Sequence, residues 1–153
     1  MNSTRSRYRW LIFLNIIAVL ATIYLTYVHF KPGASEVCNF SEKWDCEIVN
    51  QSIYSELWGI PVSILGFLNY DFLLSFSIRG LYKKQDKLLP WVLGATILAT
   101  AFALYLTGIE TFVLKTYCIF CVIQQIIILL DLGILTSLTL HRSKSWKNLL
   151  LFF

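Results

Sequence analysis

Four long apolar stretches dominate the sequence and limit the folds that it can adopt. They cover residues 10–30, 58–78, 88–108 and 117–140, and each contains 21 to 24 residues. Because an α-helix rises about 1.5 Å per residue, roughly 20 residues cross the hydrocarbon core of a bilayer, which is about 30 Å thick. The pattern predicts an all-α membrane protein: a four-transmembrane-helix bundle that forms a single domain over residues 1–153.

The composition agrees with a surface that is largely in contact with lipid. Apolar residues make up 57% of the sequence and charged residues 14%, whereas charged residues account for roughly 25% of a typical soluble domain. The net charge of +4 is small, and the basic residues are spread along the chain. This pattern does not favour binding to nucleic acid.

The basic residues predict how the chain is oriented in the membrane. Ten of them precede the first stretch, separate the second from the third, or follow the fourth: Arg5, Arg7, Arg9, Arg79, Lys83, Lys84, Lys87, Arg142, Lys144 and Lys147. Only Lys31, Lys43 and Lys115 fall on the other side. Since cytoplasmic segments are enriched in Lys and Arg, both termini are predicted to be cytoplasmic, and the loop of residues 31–57 to lie outside. The outer side of a bacterial inner membrane and the ER lumen both fit an orientation with cysteines outside. A bacterial inner membrane is the expected location, because a glycan at the sequon of Asn39 would crowd Cys38.

The outer loop contains a second, shorter pattern. Its apolar residues recur at roughly helical spacing: Ile48, Val49, Ile53, Tyr54, Leu57 and Trp58. This spacing predicts a short amphipathic helix that lies on the outer surface and covers the bundle. The second spanning helix is expected to begin near Pro61, because proline is tolerated in a first helical turn.

All four cysteines fall on the predicted outer side, where disulfides persist. Cys38 and Cys46 form a C-x7-C pattern in the loop, and Cys118 and Cys121 form a C-x-x-C pattern at the start of the fourth stretch. Residues i and i+3 share a helix face, so the second pair of sulfurs can approach each other. A helix N-terminus stabilises a thiolate, which is the nucleophile in thiol–disulfide exchange, and Lys115 adds a positive charge nearby. These features favour a redox-active site.

Three other interpretations of the cysteines remain open from their spacing alone. They could form two static disulfides in a non-catalytic four-helix membrane scaffold. They could bind one zinc ion, although structural zinc sites favour C-x2–4-C spacing in both halves, so no metal site is predicted. They could also be inert buried thiols.

The order of these parts resembles the vitamin K epoxide reductase family. A loop cysteine pair, Cys38 and Cys46, follows the first helix, and Ser52 comes six residues after the second loop cysteine. Residues 57–66, LWGIPVSILG, look like the bacterial form of the family's second-helix signature, and the C-x-x-C then opens the fourth helix. The resemblance covers about residues 10–140 and is to a bacterial-type stand-alone homologue without a fused thioredoxin-like domain.

The resemblance implies an electron relay that supports disulfide bond formation. A separate extracytoplasmic thioredoxin-fold (DsbA-like) dithiol protein would reduce a Cys38–Cys46 disulfide, and the freed Cys46 would attack Cys118. Cys121 would then pass two electrons to a quinone, such as ubiquinone, menaquinone or a related compound. All four cysteines would therefore be catalytic.

Four further residues are candidates for binding the quinone at the outer end of the bundle: Ser52, Gln125, Trp58 and Phe120. Gln125 follows Cys121 by four residues and shares its helix face. The rings of Trp58 and Phe120 could stack on a quinone. Each of three candidates also has a structural interpretation: Ser52 as a helix cap, Gln125 as an interhelical hydrogen bond, and Trp58 as an interfacial anchor.

Two acidic residues, Asp71 and Asp131, fall inside the predicted spans. Ionisable side chains are costly in lipid and are functional candidates by default. Asp131 is expected to have a buried hydrogen-bonding role with Gln124, which lies seven residues earlier on the same helix face.

Overall fold

The computed structural model describes residues 2–31, 33, 38, 41, 43–83 and 87–150, except for the side chains of residues 2, 3 and 142–150. Four helices are long: α1 (Asn2–Phe30), α3 (Val62–Tyr82), α4 (Leu89–Ile109) and α5 (Ile119–Leu150). A short helix, α2 (Cys46–Asn50), lies in the loop between α1 and α3. The turn Glu110–Leu114 extends α4 with π-helical geometry. The protein is therefore mostly helical, as predicted.

Three helices in the described part of the chain are long and apolar enough to cross a membrane: Thr4–Phe30, Leu89–Leu114 and Ile119–His141. Helix α3 has 21 residues, but Asn69, Asp71 and Arg79 interrupt its apolar sequence. The chain is therefore a membrane protein. The predicted count of four spans is not confirmed, because α3 is long enough but less apolar than the other three helices.

Helix α1 packs closely against α3 and also contacts α5, which packs against α4. Two glycines of α3 face α1 at the points of close approach. A Cβ at Gly66 would lie 3.3 Å from Thr22, and a Cβ at Gly80 would collide with the ring of Tyr8. Small residues let helix backbones approach in a membrane, where contact between side chains replaces the hydrophobic effect as the driving force. This close packing positions α1 and α3 relative to each other.

A buried polar pair connects α1 with α5. The Asn15 amide donates a hydrogen bond of 3.0 Å to Asp131 Oδ2, and both side chains are fully buried. Asp131 thus has the predicted buried hydrogen-bonding role, but its partner is Asn15 of α1 and not Gln124, which lies two turns earlier in α5 and lines a cavity. Asp71 is exposed.

The loop between α1 and α3 is less helical than its apolar spacing predicts. Helix α2 has five residues, and it is followed by a 3₁₀ turn (Ile53–Ser55) and two short strands, β1 (Glu56–Leu57) and β2 (Ile60–Pro61). Between the strands, Trp58 and Gly59 have φ angles of 53° and 79°. Two successive residues with positive φ form the turn that fits the twist of a two-residue hairpin. The amphipathic helix is therefore not confirmed, whereas α3 begins at Val62, directly after Pro61 and close to its predicted start.

Candidate functional site

Three buried sulfur atoms lie together at one end of the bundle. Cys38 and Cys46 form a disulfide, and the Sγ of Cys118 lies 3.0 Å from the Sγ of Cys46. All three sulfurs lie within 4.8 Å of one another, and the three side chains are fully buried. Cys118 and Cys121 are free thiols. The loop cysteines and the helical pair, which are far apart in sequence, thus form one continuous site.

Backbone pairing between the loop and the start of α5 brings Cys46 to Cys118. The Tyr117 N–H donates to the Lys43 carbonyl over 2.9 Å, and the Asp45 N–H donates to the Tyr117 carbonyl over 3.1 Å. The rings of Trp44 and Tyr117 also pack, with their centroids 5.6 Å apart. Asp45 directly precedes Cys46 and Tyr117 directly precedes Cys118, so this register places the two sulfurs side by side.

Helix α2 is held at both of its ends. At its start, Asp45 Oδ1 accepts the N–H groups of Glu47 and Ile48 over 2.8 and 3.1 Å, which is a typical N-cap arrangement. At its end, the Asn50 amide donates to the Leu25 carbonyl of α1. These bonds fix the helix whose first residue is Cys46.

His29 strengthens the attachment of the loop to the end of α1. Its Nδ1 lies 2.7 Å from the Asn50 carbonyl, and its Nε2 lies 3.2 Å from Glu56 Oε1. One side chain of α1 therefore contacts both α2 and β1. The loop that carries Cys46 is bound to α1 as well as to α5.

The C-x-x-C pair opens α5 as predicted. Cys118 directly precedes the helix, and its sulfur accepts the N–H of Cys121 over 3.4 Å. The sulfur thus occupies the position that a Ser or Asp oxygen takes in an ordinary N-cap. Apolar side chains enclose the sulfur cluster: Leu25, Val49, Leu114, Ile119 and Phe120. They exclude water from the exchanging sulfurs.

A cavity of about 560 Å³ lies next to Cys121, between α3, α4 and α5, and the loop between α1 and α3 covers it. Its walls are mostly apolar, and Cys121 is one of the lining residues. Three buried polar atoms in its lining have no hydrogen-bond partner within the described residues: Ser63 Oγ, Gln124 Nε2 and Gln125 Nε2. Buried donors usually find an acceptor. The cavity therefore has the size and the chemistry of a site for an apolar ligand that carries carbonyl oxygens.

The four candidate residues for quinone binding have different positions in the structure. Ser52 and Gln125 line the cavity, and the Gln125 side-chain oxygen accepts a hydrogen bond of 3.4 Å from Thr107. Phe120 is not part of the lining and packs on the ring of Tyr24, with centroids 4.9 Å apart. Trp58 is 95% exposed at the hairpin turn and also lies outside the lining. The structure thus brings two of the four candidates to Cys121.

Several residues of the site were not selected from the sequence, most notably Glu110. The sequence pattern ends the third apolar stretch at residue 108 and leaves Glu110 in a short outer loop. In the structure the π-helical turn carries it inward, and it is only 5% exposed. An acid followed by Thr111 and the apolar residues FVL was the available signal. Gln124, and the pairing of Tyr117 with the loop, had no comparable signal.

The sulfur cluster also bears on the zinc interpretation. Cys38, Cys46 and Cys118 are close enough to ligate one metal ion. However, zinc binds thiolates, and two of these sulfurs are joined in a disulfide. Cys121, the fourth cysteine, is not a member of the group. The arrangement therefore fits thiol–disulfide exchange better than a four-cysteine zinc site.

A comparison with models of protein families gives a match over residues 9–136. The matching model is the vitamin K epoxide reductase family. The matched segment contains all four cysteines, the whole loop between α1 and α3 and every residue that lines the cavity.

Proposed function

Since the chain belongs to the vitamin K epoxide reductase family, we propose that it relays electrons from an extracytoplasmic thioredoxin-fold dithiol protein, through its two cysteine pairs, to a quinone. The family supports a membrane thiol oxidoreductase in general. The observation that carries the finer proposal is the distance of 3.0 Å between the sulfurs of Cys46 and Cys118. It connects the pair in the loop with the pair that borders the cavity.

The relay begins at the loop pair. A thiolate of the partner attacks Cys38, and Cys46 leaves as a thiolate. The second thiol of the partner then attacks the partner's first sulfur, which is bonded to Cys38, and Cys38 leaves as a thiolate. The partner departs oxidised, and Cys38 and Cys46 remain reduced. Because Cys38 is fully buried, this step requires that docking of the partner move the loop enough to expose its sulfur.

The next exchange passes the electrons to the second pair. Cys46 attacks Cys118 of a Cys118–Cys121 disulfide, and Cys121 leaves. Cys38 then attacks Cys46, which restores the loop disulfide and frees Cys118. The product has a closed loop pair and two free thiols at Cys118 and Cys121, and this is the state of the cysteines in the structure.

The cavity supports the quinone as electron acceptor. Cys121 borders it, and the unpartnered donors of Ser63, Gln124 and Gln125 fit the two carbonyl oxygens of a quinone. When bound there, a quinone would accept two electrons and two protons as the disulfide between Cys118 and Cys121 re-forms. The residues of the chain orient the head group and exclude water, since the walls are mostly apolar. Helices α3 and α4 both line the cavity but make few contacts with each other, which leaves a route between them for a lipid-soluble molecule.

The proposed topology places four spans in the membrane, with α3 as the second. The end of the bundle away from the cysteines is rich in positive charge. Its described basic residues are Arg5, Arg7, Arg9, Arg79, Lys83 and Lys87. By the positive-inside rule that end is cytoplasmic, and the cysteines face the outside of a bacterial inner membrane. The other four basic residues predicted for this side are Lys84, Arg142, Lys144 and Lys147. Lys84 and the side chains of the other three are outside the part of the chain that the structure describes.

The test is anaerobic incubation of a reduced thioredoxin-fold protein, the purified membrane protein and a short-chain ubiquinone, with quinone absorbance as the readout. The wild type should reduce the quinone, and Cys118→Ala and Cys121→Ala should each lower turnover to the rate without enzyme. An Ala101→Ser variant, changed on the exposed side of α4, should retain full activity. Wild-type turnover in either cysteine variant contradicts the relay.

A further inference from the structure

Glu110 is a buried acid inside an apolar part of the molecule. It begins the π-helical turn between α4 and α5, it is 5% exposed, and it lines the cavity together with Cys121. Local π-helical geometry is rare and is found frequently at functional sites. Burial of an acid in apolar surroundings costs free energy, so such a residue is a candidate for a functional role.

The contacts of Glu110 are with the C-x-x-C pair. Its Oε2 accepts the Cys118 N–H over 3.5 Å, and Glu110 and Cys121 line the same cavity. Among the described residues no Lys, Arg or His forms an ion pair with it. Glu110 is also the only carboxyl group among the described residues that line the cavity. A structural role as the partner of a buried cation is therefore not supported.

Oxidation of the cysteine pair requires a place for its protons. Two thiols that form a disulfide release two electrons and two protons, and a quinone that becomes a quinol takes up the same number. Cys118 is fully buried and Cys121 borders a mostly apolar cavity, so water is a poor proton acceptor at this site. A carboxylate that bonds to the backbone of Cys118 and lines the cavity with Cys121 supplies the missing base.

We propose that Glu110 is a catalytic residue that transfers the thiol protons of Cys118 and Cys121 to the electron acceptor in the cavity. The carboxylate takes up one proton at a time and donates each to an oxygen of the acceptor, and it ends the reaction ionised, as it began. The inference rests on the proposed function, because it takes the acceptor to be a quinone.

Other titratable groups near the cavity are less suited to this role. Tyr54 of the loop and Tyr70 of α3 line the cavity, and the Tyr70 hydroxyl already donates to the Gln124 carbonyl over 3.1 Å. Lys115 follows the π-helical turn but is exposed and outside the lining. Cys118 and Cys121 are themselves the proton donors. These are the groups that a pH profile of the reaction must take into account.

The test compares Glu110→Gln with the wild type in a single turnover, from the reduced Cys118–Cys121 pair to a short-chain ubiquinone. The amide keeps an acceptor for the Cys118 N–H but cannot take up a proton. We expect the rate at neutral pH to fall about 100-fold, within the usual range for loss of a general base. It should then rise about tenfold per pH unit, because hydroxide replaces the carboxylate, while the wild-type rate changes less with pH. Asp71→Asn, which removes an exposed acid of α3, should leave the rate unchanged.

A second readout follows the proton on the carboxyl group itself. In time-resolved infrared spectra of the single turnover, the wild type should show a carboxyl carbonyl band that appears and then decays, and Glu110→Gln should lack it. An unchanged rate, or a rate lowered by one constant factor at every pH with the carboxyl band retained, overturns the inference and leaves the relay intact. A wild type that cannot reduce the quinone overturns the relay itself.

If Glu110→Gln does not fold, the wild type can be treated with dicyclohexylcarbodiimide, an apolar reagent that modifies buried carboxyl groups. Mass spectrometry should locate the adduct on Glu110, and the single-turnover rate should fall in proportion to the modified fraction. Protein that is modified at Glu110 and still turns over at the full rate overturns the inference.

Discussion

The sulfur of Cys46 lies 3.0 Å from the sulfur of Cys118, although 72 residues separate the two cysteines. A disulfide bond measures about 2.0 Å. A shift of about 1 Å at one sulfur would therefore exchange the Cys38–Cys46 bond for a Cys46–Cys118 bond. The same geometry determines which mixed disulfide should accumulate when the relay is interrupted.

Cys121→Ala should trap a Cys46–Cys118 disulfide, because the substitution removes the thiol that would resolve it. The double variant Cys38→Ala, Cys121→Ala, oxidised with glutathione disulfide to supply the two-electron oxidant, should form this bond more completely, since Cys38 can otherwise recapture Cys46. The bond would join the loop to α5. After protease cleavage between Ile53 and Tyr117, non-reducing electrophoresis should show the two fragments still linked.

Two other outcomes of the trapping experiment would contradict the order of exchange. A bond between Cys38 and Cys118 would reverse the roles of the two loop cysteines. Fragments that separate without reductant would mean that the Cys38–Cys46 bond remains closed, as in a static scaffold. Cys46→Ala combined with Cys121→Ala is the matched control, and it should give no linked fragments.

The reduction potentials of the two pairs separate a relay from a scaffold. Structural disulfides typically have potentials below about −300 mV. We expect both pairs to titrate above about −300 mV, with the Cys118–Cys121 pair at least about 30 mV more oxidising than the loop pair, which gives a tenfold driving force. The titration can be read by alkylation and mass spectrometry. Potentials below that limit for both pairs would favour the scaffold.

The sequence predicted the chemistry of this site better than its geometry. The C-x-x-C pair starts a helix as expected, because the hydrophobic period and the cysteine spacing are both local signals. The approach of Cys46 to Cys118 depends on backbone hydrogen bonds of Tyr117 with Lys43 and Asp45. Hydrogen bonds between backbone groups do not require particular side chains, so the sequence does not reveal them. Only the resemblance to a family predicted that contact.

The cavity gives a third prediction, for which α4 offers a matched pair of alanines. Ala103 lines the cavity, whereas Ala101, two residues earlier, is exposed on the opposite side of the helix. A tryptophan at Ala103 would fill part of the space, so we expect the KM for a short-chain ubiquinone to rise at least about tenfold, or about 1.4 kcal/mol of binding free energy. Ala101→Trp should leave the KM unchanged.

The exchange between the cysteine pairs provides an internal check on the same variants. Because Ala103 is not part of the sulfur cluster, Ala103→Trp in a Cys121→Ala background should still trap the Cys46–Cys118 bond. An equal rise in KM for both tryptophan variants would mean that the quinone does not use this cavity.

The outer loop shows a further limit of the sequence pattern. The apolar residues from Ile48 to Leu57 have helical spacing, but the helix stops at Asn50. Side-chain bonds compete with its continuation, since the Asn50 amide bonds to the Leu25 carbonyl and the Ser52 hydroxyl to the Val49 carbonyl. The hairpin turn at Trp58 and Gly59 then needs two positive φ angles. A hydrophobic period alone carries no information about such local bonds.

Asp45 gives the last prediction, because it connects the fold of the loop with the rate of exchange. Its carboxylate caps α2 through the N–H groups of Glu47 and Ile48, and loss of such a cap costs about 1 kcal/mol. Since α2 has only five residues and starts at Cys46, Asp45→Ala should displace that sulfur from Cys118. We expect the trapped Cys46–Cys118 bond to form about fivefold more slowly in the Cys121→Ala background, as 1 kcal/mol implies. Asp45→Asn keeps the acceptor oxygen and should exchange at nearly the parent rate. If Asp45→Asn is as slow as Asp45→Ala, the charge of Asp45 rather than its cap controls the exchange; if neither is slow, the cap does not position Cys46.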